Sequence, residues 1–181
     1  MTLAPRLQGE KVRLTAIMGG DVQQMLPWYQ DSALVRQFST RPASPMSQVW
    51  LRERLDHQRQ ASDDFPFAIR LLDEDTLIGR IDLFGVEWTQ GTGWLGIIIA
   101  ADRHQGRGYG TDALRLLLDF AFRELNLHRV QLTVFEYNRA AIALYEKLGF
   151  SREGVIRESL HRDGQRHDSL LYGILRHEWE A

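Results

Sequence analysis

Residues 96–125 read GIIIAADRHQGRGYGTDALRLLLDFAFREL, and three local signals follow one another along them. Ile97, Ile98 and Ile99 are β-branched and predict a strand. A short polar turn leads to Gln105, Gly106, Arg107, Gly108, Tyr109 and Gly110, and from Thr111 onward the apolar residues recur at helical spacing. Glycines at 106, 108 and 110 permit backbone conformations that gather N–H groups at the start of that helix. There the positive end of the macrodipole favours an anion, and Arg107 and Arg103 add charge. These residues describe a strand, a phosphate cradle and a helix.

Spacing narrows the ligand. A triphosphate loop of the form G-x-x-x-x-G-K-[ST] needs a Lys that does not follow these glycines, and a dinucleotide fingerprint G-x-G-x-x-G would need glycine at Thr111. The stretch fits Q/R-x-x-G-x-G/A instead, through Gln105, Gly108 and Gly110. A second pattern follows at residues 138–150, NRAAIALYEKLGF, which fits N-x-x-A-x-x-x-Y-x-x-x-G-F through Asn138, Ala141, Tyr145, Gly149 and Phe150. Carrying both motifs in this order, the chain resembles the GNAT superfamily of acyl-CoA-dependent N-acyltransferases. The resemblance spans roughly residues 9–176 and is most specific over 93–150.

Outward from this stretch, 181 residues with 44% hydrophobic content predict one globular domain. A formal net charge of −2 gives no reason to expect nucleic acid or an anionic membrane as partner. The absence of cysteine removes disulfides, thiolate metal sites and a Cys nucleophile. The opening residues MTLAPRLQGEKVRL hold no apolar core of signal-peptide length, so a cytoplasmic protein is the expectation. The six histidines form no H-E-x-x-H pattern, and no metal is expected.

Residues 12–16 alternate as a first strand, and Asp21 is read as the cap of a short helix holding Met25, Leu26, Trp28 and Tyr29. Ser44 and Pro45 read as N-cap and N1 of a second helix reaching about Gln60, with Val49, Leu51 and Leu55 facing inward. Strands at 67–72 and 77–84 flank an acidic turn, and a turn at 89–93 leads into a strand at 94–100. A strand at 129–136 precedes a helix at 139–148 that Gly149 stops. Strands at 155–161 and 168–175 flank the hairpin signal Asp163-Gly164. The order is β-α-α-β-β-β-α-β-α-β-β.

For this α/β (α+β) chain the resemblance implies a mixed, mostly antiparallel sheet with flanking helices. It also implies that the strands at 94–100 and 129–136 splay apart to admit acetyl-CoA. It divides the single domain 1–181 into an acceptor-side half (9–90), an acyl-CoA-binding half (93–150) and a C-terminal hairpin (155–176). It assigns the pyrophosphate to Gln105, Gly106, Arg107, Gly108, Tyr109, Gly110 and Thr111. The pantetheine arm falls to the backbone of Ile98, Ile99 and Ala100 and to Asn138, with Tyr145 beside the sulfur. A phenol, with an ordinary pKa of about 10 against ~8.5 for a thiol, gives up its proton only as thiolate charge develops. Asn138 is also well placed as N-cap of the following helix, and Tyr145 as a core aromatic.

Many relatives read A-E-[LI]-G before the first of these strands, where this chain reads Gly93-Trp94-Leu95-Gly96. The carboxylate that would receive the amine proton is replaced by Trp94. Glu87, Glu136, Glu158, His161 or a water chain are substitutes, and the sequence selects none. Trp28, Trp50, Trp88 and Trp94 are candidates to line an acceptor cleft. The phrases Asn126-Leu127-His128-Arg129 and Phe150-Ser151-Arg152-Glu153-Gly154, with the closing Asp163-Gly164 hairpin, look most like the branch that holds ribosomal-protein N-terminal and spermidine acetyltransferases. The expected activity is therefore direct acetyl transfer to a primary amine, on a protein N-terminus, a polyamine or another small amine, in a homodimer by analogy. A non-catalytic acyl-CoA sensor of the same fold is the alternative.

Overall fold

The computed structural model describes residues 7–100 and 104–179, apart from the Arg59 side chain. The strands are β1 (Val12–Ala16), β2 (Phe65–Leu71), β3 (Leu77–Glu87), β4 (Thr92–Ile99), β5 (Arg129–Phe135), β6 (Ser151–Arg162) and β7 (Gln165–Leu175). They form one sheet in the order β1-β2-β3-β4-β5-β7-β6, antiparallel at every junction except the parallel pair β4 and β5. Helices α1 (Asp21–Gln30), α2 (Ser32–Phe38), α3 (Gln48–Gln60), α4 (Tyr109–Asp119), α5 (Arg139–Lys147) and α6 (Arg176–Trp179) flank it. This is the mixed, mostly antiparallel sheet that the sequence led us to expect.

Residues that alternate along the strands feed two cores. Val12, Ile69, Ile81, Leu83 and Leu95 pack beneath Leu114, Leu117 and Leu118 of α4. On the opposite face Ala68 and Ile98 meet Met25 and Tyr29 of α1 and Leu51 and Leu55 of α3. The asymmetry of α4 is written in its sequence, where its buried leucines recur on one side. A π-helical turn, Phe120–Glu124, extends α4, and Phe120 packs edge-on against Phe65 and Phe67.

Several local expectations change. The region from Asp21 holds two helices before α3, because the Asp31 carboxylate accepts the Ala33 and Leu34 N–H groups and starts α2 afresh. Asp21 is the first residue of α1; its carboxylate takes the Met18 N–H at 2.7 Å and pairs with Arg70 at 2.6 Å. Helix α3 is capped by Ser47, whose Oγ accepts the Trp50 N–H at 3.1 Å, and not by Ser44. That start turns Leu51 and Leu55 inward and leaves Val49 exposed, correcting its assignment to the core. The closing hairpin turns through Asp163 and Gly164, both with positive φ as an Asp-Gly turn requires.

The junction of β4 and β5 positions the site. Their pairing covers only Thr92 to Trp94 against Arg129 to Gln131. Beyond it β4 stays with β3 as far as Ile99, while β5 stays with β7 as far as Phe135. The two halves of the sheet therefore part, leaving a fissure with an unpaired strand edge on each side.

Candidate active site

The glycine loop lies where β4 ends and α4 begins. Gly106 and Gly108 adopt φ of +71° and +83°, a left-handed conformation that costs a residue bearing a Cβ about 1–2 kcal/mol. Gly108 is the N-cap of α4, and no side chain caps that helix. The N–H groups of Tyr109, Gly110 and Thr111 precede the first intrahelical bond, Asp112 N–H to Gly108 O at 3.1 Å, the position from which helix starts bind anions. Arg107 is exposed beside them. Arg103, expected in the same place, lies outside the described residues.

Two groups that the motifs do not contain hold this loop. Lys11 Nζ donates to Arg107 O at 2.9 Å. The buried Asp112 carboxylate accepts the N–H groups of Glu10, Lys11 and Val12 at 3.3, 2.8 and 3.0 Å, fastening the entry to β1 onto the first turn of α4. Gln105 Nε2 donates to Ile99 O at 3.4 Å and ties the loop to the end of β4.

The direction of the β4 backbone refines one expectation. Ala100 N–H donates to Ile78 O at 2.9 Å, and in an antiparallel ladder bonded and non-bonded pairs alternate. The register places Ile98 opposite Arg80 and Gly96 opposite Asp82, so these residues, like Ala100, turn their backbone groups to β3. Leu95, Ile97 and Ile99 turn theirs to the fissure. Of the three residues assigned to the pantetheine, Ile99 therefore offers its main chain to the open edge, while Ile98 and Ala100 do not.

Helix α5 closes the other side. A Cβ on Gly110 would lie 3.3 Å from Leu144 Cδ2, 3.8 Å from Ile99 Cγ1 and 4.0 Å from Ile97 Cδ1, so the loop, the strand edge and α5 meet at a glycine. Next along α5, Tyr145 is 6% exposed and stands edge-on to Phe150 at 5.8 Å. Burial pushes its phenol well above the ordinary pKa, so it is a proton holder through the neutral range. Asn138 is the N-cap: its Oδ1 accepts the Ala141 N–H at 3.2 Å, and its Nδ2 donates to Gln37 O at the same distance, joining α5 to α2.

The face of β3 and β4 beneath α1 and α3 is polar at its centre. Arg80, 2% exposed, directs Nε to both carboxylate oxygens of Asp82 at 2.9 Å, Nη1 to Tyr29 OH at 3.2 Å and Nη2 to Gln58 Oε1 at 2.6 Å. Burial works against the charged guanidinium, but Asp82 and Tyr29 outweigh it and raise its pKa above the ordinary arginine value. For Asp82 burial outweighs the attraction of Arg80 and lifts the carboxyl above its ordinary range. The same face carries Phe84 opposite Trp94 one pair further along.

A model of the acetyltransferase (GNAT) domain matches residues 11–151. The chain belongs to the GNAT acetyltransferase family. It is 34% identical over 140 residues to the putative ribosomal N-acetyltransferase YdaF of Bacillus subtilis, covering 76% of each protein. It is 29% identical over 177 residues to the prophage-derived N-acetyltransferase YokL of the same organism, covering 95% of this chain and 94% of that one. The fold also matches a solved spermidine N-acetyltransferase from Vibrio cholerae in complex with CoA and spermine. There the TM-score is 0.86 at 25% identity, over 94% of this chain and 98% of that one. The protein is thus an acetyltransferase that uses acetyl-CoA.

Within this GNAT domain the glycine loop, the end of β4 and α5 meet, while the side chains weighed as substitute bases scatter. Glu136 accepts the Asp168 N–H at 3.2 Å and sits 3.4 Å from His167 Nδ1 at the end of β5. Glu158 and His161 are exposed on β6, and Glu87 is exposed at the end of β3. Of the tryptophans, Trp50 carries the guanidinium groups of Arg41 and Arg54 over its ring at 5.4 and 5.5 Å, Trp88 packs edge-on to Phe65, Trp28 joins the α1 core, and Trp94 borders the fissure. Lys11, Asp112, Arg80 and Asp82 were missed. The one signal available for the last two was the alternation Arg80-Ile81-Asp82, charged residues on one face of an otherwise apolar strand. No helix of the described residues is long and apolar enough to cross a membrane. Among them no group of three His, Asp or Glu side chains could hold a metal ion.

Proposed function

We propose that the protein transfers the acetyl group of acetyl-CoA directly to a primary amine in the fissure between β4 and β5, with no acyl-enzyme. The observation that carries this reading is the end of β4–β5 pairing at Trp94, which leaves a strand edge open between a glycine loop and the buried Tyr145. The pyrophosphate rests on residues 105–111, held by the backbone N–H groups of Tyr109, Gly110 and Thr111 and by Arg107. The pantetheine amides pair with the β4 edge at Ile97 and Ile99, and Asn138 borders the arm while capping α5. The thioester carbonyl is polarised by N–H groups of that edge.

The neutral amine attacks this carbonyl, the C–N bond forms, and collapse of the tetrahedral adduct breaks the C–S bond. Tyr145 donates its proton to the leaving sulfur, and the proton released by the acylated nitrogen restores the phenol through solvent. The raised pKa keeps this donor loaded before each turnover. The acceptor is a protein N-terminus, a polyamine or another small amine, the site of action is cytoplasmic, and the working unit is a homodimer by analogy with the family. A free-thiol release assay with acetyl-CoA against peptides beginning with Ala or Ser, polyamines, aminoglycosides and amino acids tests the reading. Saturable release with one class is expected; acetyl-CoA bound but never turned over across the panel contradicts it.

A further inference from the structure

The acceptor face beneath α1 and α3 bears on which amine is used and where its proton goes. At the row where β3 and β4 face each other, Asp82 stands opposite Gly96, which places no side chain against it from β4. The Asp82 side chain is 15% exposed, whereas its partner Arg80 is sealed at 3%. One row along, Phe84 pairs with Trp94, and the Phe84 ring reaches to 3.6 Å from where a Gly96 Cβ would be. A carboxylate and two aromatic rings therefore share the strand face next to the fissure. Trp94 stands where the family resemblance drawn from the sequence implies a glutamate. Asp82 is the diagonal neighbour of that position on the same strand face.

The charge of this face is balanced. Around Asp82 lie Arg80, bonded to it, and two further charged groups whose fields reach it, Arg54 of α3 and Asp64 ahead of β2. Asp64 Oδ1 accepts the Gly85 N–H at 3.0 Å, and Arg54 lies against the Trp50 ring at 5.5 Å. Two carboxylates face two guanidinium groups, beside aromatic rings. A polycation needs a surplus of carboxylates, and here each carboxylate is matched by an arginine. A single ammonium beside an apolar group needs one carboxylate and an aromatic wall, both of which are present.

We propose that Asp82 takes the place of the family carboxylate lost at Trp94, and that the acceptor is a primary amine with one positive charge and an apolar flank. The inference rests on the acetyl-CoA reading above. The ammonium enters over Phe84 and Trp94 and gives one proton to the Asp82 carboxylate. The resulting neutral amine attacks the thioester, and Asp82 releases the proton to solvent when product leaves, which accounts for the one proton the overall reaction liberates. Arg80 is a positioning residue that fixes the carboxylate with two hydrogen bonds.

The test pairs thiol release with calorimetric titration of acetyl-CoA. Wild-type protein is expected to use a peptide beginning with Ala and the aromatic monoamine phenethylamine with kcat/KM at least tenfold above spermidine; the two monoamines separate a peptide from a small-molecule source. Asp82→Asn is expected to lose about 100-fold in kcat with acetyl-CoA affinity within twofold of wild type. Trp94→Glu in that background is expected to recover at least tenfold. Trp94→Glu alone, which leaves the Arg80–Asp82 pair intact and so does not depend on the fold of the Asn variant, is expected to shift the spermidine-to-peptide ratio at least tenfold toward spermidine. Preference of the wild type for spermidine, or full turnover by Asp82→Asn, or an unmoved ratio in Trp94→Glu, overturns the proposal while acetyl-CoA still binds. Failure of the wild type to bind acetyl-CoA at all overturns the underlying reading instead.

Discussion

The two faces of the fissure are built on different terms. On the side we assign to the cofactor, the proposed recognition rests on the main chain: positive-φ glycines, the uncapped start of α4 and the free edge of β4. On the side we assign to the acceptor, it rests on side chains, through Arg80, Asp82, Tyr29 and Gln58 over a continuous β3–β4 ladder. Backbone recognition depends on where Cβ atoms are absent, so it leaves glycines at fixed spacing in the sequence. Side-chain recognition depends on which residues of distant elements meet, so its parts lie as far apart as Tyr29 and Asp82. The lesson is that a shared cofactor is legible from a short motif, while the acceptor has to be read from a surface.

This contrast can be broken from either side. The largest stability effect is expected on the acceptor side, from Arg80→Met. Removing the guanidinium leaves Asp82 without its buried partner, and chemical denaturation should show a loss of about 3–5 kcal/mol, with acetyl-CoA affinity preserved in the folded fraction. On the cofactor side Gly79→Ala tests the main chain itself. A Cβ there would stand 2.3 Å from the Ile98 carbonyl oxygen, so β4 must shift; we expect a loss of about 1–3 kcal/mol and weaker acetyl-CoA binding together. If Gly79→Ala lowers stability but leaves acetyl-CoA affinity untouched, the free edge of β4 is not the binding surface. A smaller effect, about 1 kcal/mol, is expected from Asn138→Ala through loss of the α5 cap. Asn138→Asp keeps an N-cap oxygen and should restore stability; if acetyl-CoA affinity stays reduced in it, the amide serves the pantetheine as well as the helix.

What the sequence made legible follows the same division. The strand, glycine loop and helix from Ile97 to Leu118 were readable because β-branched runs, glycine spacing and leucine periodicity all agree there. Gly149 as a helix stop and Asp163-Gly164 as a hairpin turn were readable because positive φ at those positions admits few residues. Other features depend on competition settled by tertiary contacts. Ser44 and Ser47 are both good caps, and packing of Leu51 and Leu55 against the sheet selects Ser47. The same holds for the division at Asp31, where one carboxylate restarts the chain as α2, and for the π-helical turn that packs Phe120 against Phe65 and Phe67. The direction of the β4 main chain was not legible either, since which isoleucines face the fissure depends on register with β3. Asn138 and Tyr145 are singled out by their motif, but the role of Asp112 in holding the entry to β1 joins residues about a hundred positions apart.

The central claim is that Tyr145 supplies a proton to the leaving thiolate and is not simply part of the core it helps to fill. Tyr145→Phe keeps the ring and its edge contact with Phe150 while removing only the hydroxyl. The decisive measurement is turnover and acetyl-CoA affinity on the same Tyr145→Phe sample, with the wild type assayed up to about pH 9. Because burial raises the phenol pKa, the phenol stays protonated below its raised value and loses its proton only as pH rises through that value. The wild type should therefore show no loss of kcat from phenol ionisation in this range. The account predicts a fall in kcat of about 100-fold or more in Tyr145→Phe with unchanged acetyl-CoA affinity and an unchanged melting temperature. Wild-type kcat in Tyr145→Phe would contradict it and return Tyr145 to the core.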